Sequence, residues 1–158
     1  MKVWLKYKYT VWYEDTSVEA VMTEEAMLKD KQSYFLEATV KLYKDIEYFK
    51  SKIDIAKKER QPYIEQHKEY CQRKNDLIES LDSLATLSDD QQKRLYVLLK
   101  DVKAKLRKYT KEIERKSFYI KDLEQKIEKL RNQSEEDILN SYLMSHNIYY
   151  CEWDVLEY

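Results

Sequence analysis

From Leu95 onward, apolar residues return at alternating intervals of four and three. The series runs Leu95, Leu99, Val102, Leu106, Tyr109, Ile113, Lys116, Ile120, Leu123, Ile127 and Leu130. It keeps its phase over five heptads, and only Lys116 is neither apolar nor aromatic. A 3.5-residue repeat holds one stripe against a partner helix turn after turn, which is the seam of a left-handed coiled coil. An earlier run begins with Leu28 and Phe35 and keeps the same alternation from Leu42 through Ile46, Phe49, Ile53, Ala56, Arg60, Tyr63, His67, Tyr70, Lys74, Leu77, Leu81 and Leu84. Its middle is more polar and contains Pro62. Proline removes an i→i−4 bond and crowds the preceding turn, so a kink or break is expected near residues 58–62.

The segment between the runs is short. Ser88 suits an N-cap, and Asp89 and Asp90 suit the first turn of the next helix. So short a loop returns the second helix antiparallel to the first. If the turn centres near Ser88, seam residues face each other when their numbers add to 176. Leu81 then meets Leu95, Tyr70 meets Leu106, Ala56 meets Ile120 and Ile46 meets Leu130, each a core residue against a core residue. The paired stretch would be about 54 Å long at 1.5 Å per residue. One layer sets Arg60 against Lys116. Both side chains can turn outward toward Glu59 and Glu112, at a cost in apolar packing. Glycine is absent, which a fold with few turns tolerates. The 15 Tyr, 3 Trp and 3 Phe exclude a disordered chain.

The ends of the chain read differently. Residues 2–13 alternate as a strand, with Val3, Leu5, Tyr7, Tyr9, Val11 and Tyr13 on one face and Trp4, Lys6, Lys8, Thr10 and Trp12 on the other. Glu14, Asp15 and Thr16 read as a turn, and 17–22 as a second strand. Thr23 caps the long helix that follows. Near the C-terminus, Ser134 opens a short helix ending at His146 and Asn147, and 148–156 reads as a final strand. The expected fold is therefore mainly α. It has a long antiparallel coiled-coil hairpin over 23–131, with its tip near 85–90, and a small aromatic-rich α+β head built from 1–22 and 132–158 with two or three short antiparallel strands. One helical layer covers only one face of such a sheet, so some head rings should remain exposed.

No catalytic constellation stands out. His67 falls on the seam facing Tyr109, His146 falls at a helix end where it can cap, and a phosphate-binding glycine loop is impossible without glycine. Nothing in the pattern calls for a cofactor or a metal, so the chain reads as a non-enzyme. No apolar run approaches the roughly 18 residues of a membrane span, and the first residues lack a signal-peptide core. Cys71 and Cys151 read as free thiols of a reducing, cytoplasmic compartment.

Two surfaces remain as candidates. The first is for a protein partner. It draws on Trp4, Trp12, Tyr149 and Trp153 in the head, on Ile64 and Ile78 of an apolar stripe flanking the first helix's seam, and on the outward-facing Phe118. That stripe, Leu36, Tyr43, Ile64, Cys71, Ile78 and Ala85, could also join two copies as a homodimeric four-helix bundle. The second is for nucleic acid. Residues 93–131 carry fourteen basic and six acidic groups, whereas 63–91 carry three and seven. Lys93, Arg94, Lys100, Arg107, Lys108 and Arg115 fall away from the seam as a basic stripe able to follow phosphates. The favoured reading is a protein-binding or inhibitor protein, one version being a viral or mobile-element product that blocks a host enzyme. The alternative is a nucleic-acid-associated accessory protein.

Overall fold

The computed structural model describes residues 1–10, 15–83 and 87–155. Six elements follow in order: strands β1 (Lys2–Thr10) and β2 (Asp15–Met22), helices α1 (Glu24–Asp82), α2 (Asp89–Arg131) and α3 (Glu135–Ser145), and strand β3 (Ile148–Asp154). The two long helices pack together, and a three-stranded antiparallel sheet draws on both ends of the chain, as the sequence predicts. The chain divides into two units. One, here called the head, is Met1–Glu47 with Glu128–Tyr158; the other, the arm, is Tyr48–Ile127.

In the arm, Ile53, Ala56, Leu81, Leu99, Val102, Tyr109, Ile120, Leu123 and Ile127 are buried along the seam. Ser117 opposite Arg60 (2.9 Å) and Glu59 bonded to Lys116 fall one residue either side of the expected register. The Tyr109 ring sits between those of Tyr63 and Tyr70, with centroids 6.4 and 5.4 Å away. A knob between two residues of the facing helix is coiled-coil packing. The charged layer resolves much as expected, since Lys116 turns out to Glu59. Glu112, however, pairs with Arg115 on its own helix (2.9 Å). Arg60 gives one hydrogen bond to Ser117 and keeps its buried Nε without a partner among the described residues.

The break expected near 58–62 does not occur, because α1 continues through Pro62. Pro62 and Lys58 are both exposed. The carbonyl that proline leaves without a donor therefore lies on the solvent side, where water can satisfy it. The helix ends follow the residues named for them. Ser88 Oγ accepts from Gln91 N–H (3.3 Å) while Ser88 N–H donates to Gln91 Oε1 (3.0 Å), a reciprocal capping box. Thr23 accepts from Ala26 N–H (3.2 Å) and Ser134 from Asp137 N–H (3.1 Å).

In the head, β1 is the central strand of the order β2-β1-β3. Two sequence expectations need correcting. The segment read as a turn contributes Asp15 and Thr16 to β2, paired with Thr10 and Tyr9. Leu28, placed first in the seam series, is 56% exposed, and Met27 is buried instead. The reason is the partner. α2 ends at Arg131, whose seam partner would be residue 45, so the start of α1 follows the geometry of its own sheet and α3. Glu14 of the turn, Val11, Trp12 and Tyr13 of the first strand, Leu84 and Ala85, and residues 156–158 lie outside the described residues. Asn147 takes a positive φ of 56° just after α3. In a chain without glycine, asparagine is the side chain that best tolerates this left-handed helix stop.

Two arm substitutions test the strained layer and the proline. Replacing Arg60 and Lys116 together by Leu should stabilise the arm by about 2–3 kcal/mol, and Pro62→Ala by a similar amount. Urea unfolding followed by helical circular dichroism reads both; an unchanged midpoint would show that neither site is strained.

Candidate functional site

A bulge in β2 sets the faces of the head sheet. The register shifts between Lys6 and Tyr7, so Glu19 is the extra residue. Its carboxylate lies 3.9 Å from the ammonium of Lys6 and 3.9 Å from that of Lys8. Val18 and Val21, three residues apart, consequently face the same way, opposite Tyr7 and Leu5.

The even-numbered residues of β1 turn toward α1. Lys6 is only 9% exposed. Its ammonium donates to Tyr34 Oη (2.8 Å) and pairs with Asp30 (2.9 Å), while Tyr150 Oη donates to the same Asp30 oxygen (2.6 Å). Lys31 lies over the Trp4 and Tyr150 rings at 5.9 and 5.2 Å. Burial acts to lower the Lys6 pKa, but the bonds to Tyr34 and Asp30 outweigh it and hold the ammonium above its usual value. Burial acts to raise the Asp30 pKa, and its bonds to Tyr150 and Lys6 outweigh that and lower it. Burial and the Asp30 bond raise Tyr150 strongly. A lysine acting as a nucleophile needs a lowered pKa. Lys6 is held the other way, as a charged strut tying the sheet to the helix.

The odd-numbered face is different in kind. Val3, Leu5, Tyr7 and Tyr9 run along β1. Trp153, Cys151 and Tyr149 flank them on β3, and Val21, Val18 and Thr16 on β2. No residue of this face is charged, although 37% of the chain is. Trp153 is 56% exposed and Tyr149 48%, and Val18 and Val21 are also exposed. Of the rings singled out in the sequence, Tyr149 and Trp153 share this open face. Trp4 lies on the helix side, half-buried, and Trp12 lies outside the described residues.

The helical candidates are scattered. Ile64 and Cys71 are half-buried in the arm, Ile78 is exposed, and Phe118 is 77% exposed beside Tyr119 and Arg115. In the head unit, Leu36 and Tyr43 of the same stripe are exposed. The six basic residues are all exposed. Helical spacing places Lys93, Lys100 and Arg107 on one flank of α2 and Arg94, Lys108 and Arg115 on the next. Arg115 is held by Glu112. The structure adds Lys74, Lys103 and Lys111, which line one groove with Arg107. Lys74 was hidden by its place in the seam series. Lys103 was legible only through the rule that antiparallel helices set equivalent flanks side by side.

His67 stands at the edge of that groove, with Nδ1 3.7 Å from Cys71 Sγ. His146 caps α3 through its ring and backbone. Its Nδ1 lies 2.9 Å from the Tyr142 carbonyl, and the two rings stack at 4.1 Å. Among the described residues no group of three His, Cys, Asp or Glu side chains could hold a metal ion. No described helix is long and apolar enough to cross a membrane. Comparison with protein-family models, curated proteins and solved structures found no match to this chain.

All three tryptophans lie in segments of the head, so their fluorescence reports that unit. Lys6→Met keeps the apolar stem but strands Asp30, and should destabilise the head by about 2 kcal/mol. The pH dependence has a defined sign. Asp30 is lowered, so its contribution is present above its ordinary value of 3.8 and lost on acidification through its folded pKa. Lys6 is raised, so its contribution is present below 10.5 and lost as pH rises through its folded pKa. The contribution of the Lys6–Asp30 pair to tryptophan-reported stability should therefore be constant between these limits and fall away outside them. In Lys6→Met the alkaline fall attributable to Lys6 should disappear.

Proposed function

We propose that this chain is a non-enzymatic interaction protein whose head binds an apolar patch on another protein through the uncharged face of its sheet. One observation carries the reading: the sheet covers its lysine-bearing face and leaves the more apolar one open. Scattered exposed apolar residues are normal, but a contiguous apolar patch marks a contact surface. Tyrosine and tryptophan, both exposed here, are the side chains most often found as interface anchors.

Size narrows the partner. Seven residues by three strands give a face of about 23 Å by 14 Å. A standard interface buries about 800 Å² per partner. The face is thus too small to hold two copies of this chain together alone and suits the anchor region of a larger heterologous contact. The partner's contacting patch should be uncharged, because burying a charge against this face would leave it unpaired. Blocking a partner by covering part of its surface is the concrete form of activity such a face supports. Free Cys71 and Cys151, the latter exposed, fit a reducing compartment such as the cytoplasm.

The test is affinity capture from a native lysate treated with nuclease, comparing wild type with Tyr149→Lys/Trp153→Lys. Both positions are open enough to accept lysine, and an unchanged tryptophan-reported unfolding transition verifies the head. A stoichiometric protein retained by wild type and weakened at least 30-fold by the variant is expected, since each anchor contributes about 2 kcal/mol. A partner retained equally by both, or no nuclease-resistant partner, would sink the reading.

A further inference from the structure

The arm carries a second surface of opposite character. Along one flank of the helix pair runs an open groove of about 640 Å³, with Cys71 and Leu106 on its floor and Lys74, Lys103, Arg107 and Lys111 on its walls. A neighbouring depression shares Lys103 and Arg107 and continues to Lys100 and Tyr96. No carboxylate lines either one. None of the five cations makes an ion pair with another described residue. Elsewhere on the arm, Arg73, Arg115, Lys116 and Lys126 have a carboxylate partner, while scattered exposed cations such as Lys57, Lys105 and Lys121 have none among the described residues.

What sets the groove apart is that five cations converge there with no carboxylate among its lining residues. Successive cations on α2 are three or four residues apart, a rise of about 4.5–6 Å. This is less than the Debye length of about 8–10 Å at physiological salt, so the charges repel one another across the groove. Lys74 adds a fifth charge from the facing helix.

We propose that this groove binds a phosphate backbone. From Lys100 to Lys111 the helix rises about 16 Å. A row of cations at this spacing can follow a polyanion whose charges are regularly and closely set, as the phosphates of a nucleic-acid strand are. Four of the five cations are lysines, point charges that suit a phosphate row without fixing a planar, bidentate geometry. No side chain here is placed to read bases, so binding is indifferent to sequence. Tyr96, exposed at the end of the row, can stack on a base of a single strand. Nucleic acid and inorganic polyphosphate share the chemistry the groove recognises.

Fluorescence anisotropy tests this with the full chain and a labelled 20-nucleotide single strand, its duplex, and inorganic polyphosphate and poly-glutamate as competitors. Five contacts predict a slope of log affinity against log salt of about −3.5 for the single strand and about −4.5 for the duplex. Affinity should therefore fall more than 100-fold between 50 and 200 mM salt. Lys103→Glu/Arg107→Glu should weaken binding at least 30-fold and flatten the slope by about 1.5–2. Lys121→Glu, on α2 outside the groove, should change it little. Saturable binding of end-labelled inorganic polyphosphate, run as a third probe, with no binding of either oligonucleotide, would assign the groove to free polyphosphate and still support the phosphate chemistry. Poly-glutamate competing as well as polyphosphate, a control variant as weak as the groove variant, or no binding of any phosphate chain at 50 mM salt would each overturn the proposal. The tyrosine–tryptophan head variant leaves these cations untouched, so failure here and failure of the head reading are separately visible.

Discussion

The buried ammonium of Lys6 decides which way the head sheet faces. Its bonds to Asp30 and Tyr34, and the Tyr150 bond to the same carboxylate, tie both β1 and β3 to the first turns of α1. Once Lys6 points at the helix, strand alternation forces Val3, Leu5, Tyr7 and Tyr9 to the other side. The β2 bulge extends that outcome to the third strand by turning Glu19 toward the lysines and leaving Val18 and Val21 outside. Hydrophobic burial alone would favour the opposite orientation, at roughly 25 cal/mol for each Å² covered. A buried charge network that is largely satisfied can override that preference, because separating its members would strand a charge in a low-dielectric site.

The arm is organised by a different balance. Its seam is apolar for most of its length, and the Tyr63, Tyr70 and Tyr109 rings fill the middle where α1 has few aliphatic residues. The Arg60–Lys116 layer interrupts that packing. Lys116 escapes to Glu59, while Arg60 stays partly buried with one nitrogen unbonded. A charged layer of this kind disfavours slipped registers that would set it against an apolar layer. Charge is then distributed unevenly around the pair. Two ion pairs gather at the Arg60–Lys116 layer, while a groove beyond it is lined by half-buried Lys74 with exposed Lys103, Arg107 and Lys111 and no carboxylate.

Much of this was legible in the residues. The four-three alternation gave the helices, and matching the two runs gave their register to within a residue at Arg60 and Lys116. Thr23, Ser88 and Ser134 are caps because a short hydroxyl before an acidic first turn can reach the free N–H groups of that turn. The seam was misread at Leu28, where α1 no longer has α2 as its partner and period alone could not reveal the change. Pro62 was misread as a break, since its cost depends on whether the orphaned carbonyl meets solvent. Trp4 and Trp153 looked alike as exposed-ring candidates, yet one lies against Lys31 and the other on the open face.

The sequence by itself therefore determined the order of the main elements, the antiparallel pairing of the long helices and, to within a residue at Arg60 and Lys116, the register of the arm. These follow from periodicity and from local hydrogen bonding, both of which act between residues whose spacing along the chain is known. Only the tertiary structure decided which sheet face is covered and which lysines share a groove. Those outcomes depend on residues brought together from distant parts of the chain, Lys6 with Asp30 and Tyr150, and Lys74 with Lys103 and Arg107. Charge networks between such residues are set by geometry that no spacing rule encodes.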